Sequence, residues 1–122
     1  MWYAVHAVMA IRLKEGLQSE FPAWENIVLI EAATPEEAQA KAELRARQDE
    51  GDCGLTWDGQ AAAFVFWGIR KLVECYEGEK QPRDGTEITY NRLVFSDEHS
   101  LKSFASGGEA QAMFDDEDPI DE

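Results

Sequence analysis

"TPEEAQAKAELRARQDEG", from Thr34 to Gly51, decides the fold. Thr34 is a helix N-cap type, Pro35 follows at the first helical position, and Glu37 stands three residues after the cap. The Thr hydroxyl can accept the Glu37 amide proton while the Glu37 carboxylate reaches back. Glu37 with Lys41 and Glu43 with Arg47 are favourable pairs one turn apart. Gly51 supplies a stop signal. The stretch predicts a helix from about Pro35 to about Glu50. Its apolar stripe is Ala38, Ala42 and Ala46, with Ala40 and Leu44 beside it. So small a face buries little area but lets the helix approach a sheet closely. It lacks the Leu or Phe anchors of a helix that docks in a partner's groove.

Working outward, the neighbours read as strands. In Trp2–Leu13, Tyr3, Val5, Ala7, Met9, Ile11 and Leu13 form an apolar face, and Trp2, Ala4, His6, Val8, Ala10 and Arg12 a mixed one. Period two means a strand with its odd face on the core. Lys14–Asn26 holds Gly16 and Pro22 and reads as a loop; Ile27–Ala33 is a β-branched second strand. After the helix, Asp58-Gly59 can close a tight hairpin behind a short strand at Leu55–Trp57. Ala61–Tyr76 is the longest strand candidate, apolar on both faces from Phe64 to Ile69. A turn at Asp84-Gly85 precedes a further strand from Thr86 to Ser96, and Asp97 can cap a short C-terminal helix.

The expected fold is therefore α+β: a four-stranded, mainly antiparallel sheet in the order β-β-α-β-β, with one long helix on a face. An Ala-rich helix cannot cover a whole sheet. The other face, carrying Trp2 or Trp67, needs a cover: loop 14–26 with Phe21 and Trp24, a ligand, or a second copy of the chain. A homodimer is the expectation, because two-fold association is the commonest solution.

The chain has 122 residues, the size of one domain, here drawn at 1–106 with an acidic tail at 107–122. Net charge is −14, and the closing "DDEDPIDE" (Asp115–Glu122) supplies six acids and no base. Such a surface repels phosphate backbones and anionic membranes, so nucleic-acid and membrane partners are not expected. The tail is expected to be solvated, since blocks of like charge repel. The first apolar run has no basic residue before it and no clean cleavage site, and no run reaches membrane length, so a cytoplasmic chain is expected. Cys53 and Cys75 form no CxxC, and no metal or cofactor motif is present.

Candidate chemistry is sparse. His6 lies mid-strand with no carboxylate or nucleophile nearby in sequence. Cys53 stands among Asp49, Glu50 and Asp52, which disfavour a thiolate, and Cys75 reads as a small buried side chain. One composite pocket can be drawn: His6, Trp67, Arg70, Tyr90 and Arg92 converging on one sheet face to bind a small anion. Against it stands ordinary cross-strand pairing, with Arg92 opposite Glu77 or Glu74 depending on turn width.

Trp2 with Ala4, then "EAATPEEAQAKA" (Glu31–Ala42), "FVFWGIRKL" (Phe64–Leu72) and "DGTEITYNR" (Asp84–Arg92), occur in that order. This resembles a small bacterial family catalogued as a domain of unknown function. The likeness covers about residues 2–96. It implies a compact single domain and carries over no catalytic residue. The reading is a small non-enzymatic domain acting by self-association or by binding another protein. The alternatives are a small-ligand binder or minor enzyme with a pocket between sheet and helix, and an acidic mimic of nucleic acid.

Overall fold

The structure, a computed structural model, describes residues 1–52, 54–76 and 81–115. Cys53, the loop residues 77–80 and residues 116–122 of the acidic tail lie outside the described residues. The chain forms two compact units, Met1–Thr89 and Tyr90–Glu122.

The first unit holds β1 (Trp2–Leu13), β2 (Ala23–Glu31), α1 (Pro35–Gln48), β3 (Thr56–Trp57) and β4 (Gln60–Cys75). The four strands form a curled antiparallel sheet in the order β2-β1-β4-β3. The apolar face of β1 packs under α1. Tyr3 and Val5 meet Ala38 and Ala42, while Ala7 and Met9 meet Ala46 and Phe66. Ala38, Ala42 and Ala46 are the buried residues of the helix, so the small stripe does seat it on the sheet. Thr34 Oγ1 accepts from Glu37 N at 3.1 Å, and Glu37 Oε1 accepts from Ala33 N at 3.3 Å. The helix stops at Gln48, two residues short of expectation, with Asp49 as its C-cap. Gly51 is not its stop residue; it bridges to Phe64, with hydrogen bonds of 2.8 and 3.2 Å.

Asp58 (φ 55°) and Gly59 (φ 75°) turn β3 into β4, as their sequence demands. Strand β4 is long, and two register shifts against β1 leave Trp67 and Arg70 as extra residues without a Cα partner. Such bulges re-aim side chains and increase local twist.

Two expectations fail. Strand β2 begins at Ala23, four residues before the apolar run, and takes in Trp24, Glu25 and Asn26. No strand of this sheet runs from Thr86 to Ser96; the fourth strand is β3. Tyr76 has φ 60°, which breaks the extended backbone and ends β4 before any hairpin forms. β3 takes the place in the sheet expected for Thr86–Ser96, and the chain runs β-β-α-β-β and then continues with a short strand, a second helix and another short strand.

Those elements lie in the second unit. β5 (Leu93–Val94) pairs with β6 (Met113–Phe114), and α2 (Glu98–Ala105) lies between them in sequence. Asp97 caps α2 by accepting from Ser100 N at 2.7 Å. Phe95 and Phe104 pack with centroids 5.2 Å apart.

Candidate functional site

The mixed face of β1 decides where polar chemistry can gather. His6 lies mid-strand, opposite Ile27 on β2 and Lys71 on β4. Glu25 is opposite Val8, so it shares the face of Val8 and His6. Arg70 is one of the two bulged residues of β4, and its side chain reaches that same face. After the turn at Asp84-Gly85, held by Thr86 N to Arg83 O at 2.9 Å, the chain brings Thr89 onto His6.

The result is a connected polar group around a fully buried histidine. His6 Nδ1 lies 3.0 Å from Glu25 Oε2, and His6 Nε2 lies 2.5 Å from Thr89 Oγ1. Arg70 Nε donates to the same Glu25 oxygen at 2.5 Å. An ionised carboxylate only accepts, so Nδ1 carries the proton it donates to Glu25. In the neutral ring Nε2 is then an acceptor, and the Thr89 hydroxyl donates to it.

The titration of the group follows from its surroundings. Burial pushes the His6 pKa down, and the charges of Lys71 and Arg70 push the same way, against the opposing bond and charge of Glu25. Burial pushes Glu25 up, but the bonds from Arg70 and His6 outweigh it and leave that carboxyl below its ordinary value. Lys71 is lowered by burial and then by Arg70. At neutral pH the group is an Arg70–Glu25 ion pair holding a neutral imidazole.

Of the residues singled out in sequence, His6 and Arg70 come together, joined by Glu25. Trp67 is half exposed and takes different partners: its ring meets Phe21 edge-on at 6.5 Å, and the Arg12 guanidinium sits 4.7 Å from its centroid. Tyr90 and Arg92 belong to the second unit, where Arg92 pairs with Asp115 at 3.4 Å; Glu77 lies outside the described residues. Sequence reasoning missed Glu25 and Thr89. Glu25 carries a signal in retrospect, since Glu25, Ile27 and Leu29 continue one alternating face. Among the described residues no group of three or more His, Cys, Asp or Glu is disposed to hold a metal ion. Nor is any helix among them long and apolar enough to cross a membrane.

A second feature lies on β2. Ala32 N donates to Met1 O and Ile11 N to Pro22 O, each at 2.9 Å. These bonds set the phase of the ladder: even-numbered residues of β2 exchange hydrogen bonds with β1. The N–H and C=O groups of Ala23, Glu25, Ile27, Leu29 and Glu31 therefore point away from it. Lys41 Nζ caps the Glu31 carbonyl at 2.8 Å. Trp24, Ile27 and Leu29 are all exposed large apolar side chains of this edge strand.

Comparison with protein families places these features. The family model described as Domain of unknown function (DUF4288) matches residues 2–90. The chain belongs to the DUF4288 family. No curated protein and no solved structure matches it. The DUF4288 match ends one residue past the first compact unit. It contains His6, Glu25, Arg70 and Thr89 and the whole of β2, so both features belong to the DUF4288 domain itself.

Proposed function

We propose that this DUF4288 chain is a self-associating protein-interaction domain, with β2 as the strand through which two copies pair. The observation that carries this reading is the β2 edge: nine residues long, with outward backbone groups at Ala23, Glu25, Ile27 and Leu29 and exposed apolar side chains on both faces. A long apolar edge is a template for another strand unless charge, proline or a bulge blunts it. Among its exposed backbone groups, the Glu31 carbonyl is covered by Lys41.

A second copy suits this edge in one register. The midpoint of Ala23–Glu31 is Ile27, so antiparallel pairing about Ile27 uses the full strand. It sets Glu25 beside Leu29 of the other copy and Asn26 beside Val28. Pairing about Val28 instead would set Glu25 against Glu31, a like-charge contact that costs stability. The Ile27 register joins two sheets into one continuous eight-stranded sheet.

Sedimentation or light scattering tests this. The 13.7 kDa chain is expected to sediment as a two-chain species that dissociates on dilution. Ile27→Lys places two ammonium groups side by side at the two-fold axis and should weaken association by roughly 100-fold or more. A wild-type chain that stays monomeric up to its solubility limit refutes the reading.

A further inference from the structure

We infer that Thr89 Oγ1 is a nucleophile, activated by His6 and Glu25, that accepts acyl groups from carboxylic esters. This rests on the polar group around His6 and not on the pairing of β2. Three observations carry it. A carboxylate, an imidazole and a hydroxyl stand in line, with Oε2 to Nδ1 at 3.0 Å and Nε2 to Oγ1 at 2.5 Å. That is the bonding order by which a histidine removes a hydroxyl proton while a carboxylate fixes its tautomer. The ring is fully buried, whereas Thr89 at one end of the group and Glu25 at the other are half-buried. Arg70 locks the carboxylate in place by donating to the same oxygen that accepts from His6.

The step balances without a redox partner. Thr89 Oγ1 attacks the carbonyl carbon, its proton passes to His6 Nε2, and the π pair moves onto the carbonyl oxygen. As that pair returns, the bond to the alcohol oxygen breaks and the departing alkoxide takes the proton from Nε2. Water then repeats the sequence on the acylated threonine, with Thr89 as the leaving group and His6 again holding the proton.

A fluorophosphonate ester is the probe, because it traps activated hydroxyls by forming O–P and releasing fluoride. The full-length chain should gain one phosphonyl group per molecule by intact mass, mapped to the peptide holding Thr89. Thr89→Val lacks the oxygen that forms the O–P bond and should give no adduct at position 89. Thr89→Ser should label at least as fast as wild type. These two variants alter a half-buried side chain, so the test does not depend on whether a buried change such as His6→Gln folds. The labelling rate should fall on acidification below the ordinary imidazole range, where an imidazole lowered by burial and faced by Glu25, Arg70, Lys71 and Thr89 takes up a proton. A hydroxyl that merely satisfies His6 gives no adduct. The inference is overturned by an unlabelled wild type beside a fully labelled serine esterase, by equal labelling of Thr89→Val, or by a rate flat through this pH range.

Discussion

Proline placed at adjacent positions of β2 should have opposite effects. Val28 N–H points into the ladder, toward Val5, and Val5 is completely buried. Val28→Pro removes that donor and leaves the Val5 carbonyl without its bond. The lost hydrogen bond costs about 1 kcal/mol and the orphaned buried acceptor about 1–3 more, so the total is roughly 2–4 kcal/mol. Leu29 N–H points away from β1, and its side chain is 40% exposed. Leu29→Pro therefore breaks no bond of the fold and should cost under about 1 kcal/mol, as proline does on the free side of an edge strand. For a unit of this size each kcal/mol is worth about 4–8 °C in Tm. Urea and thermal unfolding followed by tryptophan fluorescence reads both values. Leu29→Pro should also abolish self-association, because it deletes an outward donor and caps the edge. A Val28→Pro chain as stable as Leu29→Pro would refute the ladder phase, and with it the surface assigned to pairing.

Three further outcomes are expected. Ala42→Leu should destabilise by about 1–3 kcal/mol, because the void beside Ala42 and Ala46 is about 20 Å³, room for little more than one water; Leu44→Ala, at an exposed site, should stay within about 0.5 kcal/mol of wild type in the same urea titration. Thr34→Ala should cost about 1 kcal/mol and lower helix content by circular dichroism, since Thr34 caps the Glu37 amide. Stability in high salt should fall on acidification in two stages. His6 and Glu25 both have lowered folded pKa values, so the unfolded chain binds more protons than the native one. Stability is complete above pH 6.5, begins to fall as unfolded His6 protonates, and falls again below 4.5 as Glu25 follows. High salt screens the self-repulsion of the acidic chain, and a urea midpoint constant from pH 7 to pH 4 would contradict the buried neutral imidazole.

Much of the fold was legible because its signals are local. The Thr34-Pro35-Glu37 cap, the period-two face of β1, the alanine stripe and the Asp58-Gly59 turn each act within a few residues. The stretch from Thr86 to Ser96 misled for the opposite reason. It alternates as a strand should, but a strand needs a partner, and the left-handed Tyr76 takes the chain out of the sheet first. Farther along β4, the outer edge is already taken by Gly51, which bonds Phe64, and by the Glu50 carboxylate, which accepts from Phe66 N at 2.9 Å. The start of β2 was hidden by Pro22 and by Glu25-Asn26, whose polarity suits a loop. Glu25 is polar because it serves His6, so a site residue obscured the element that carries it.

The group around His6 was illegible for a related reason. Its bonds span 19, 45 and 83 positions, and no spacing rule connects residues so far apart. Arg70 adds a second obstacle: a regular alternation along β4 assigns it a face by parity, and the bulge resets that parity. A lone strand histidine is reasonably read as structural while its partners are unknown. A buried neutral histidine requires only that its N–H find an acceptor and its other nitrogen a donor, and one carboxylate and one backbone N–H would do that. Here the second partner is a hydroxyl, and the carboxylate is itself fixed by an arginine held in a bulge. A bulge interrupts the ladder, and an ion pair whose side chains are only 24% and 23% exposed costs some desolvation that an apolar contact would avoid. Packing alone gives no reason to accept both costs at one histidine. Proton transfer at Thr89 gives one, which is why the hydroxyl's reactivity is the property to measure.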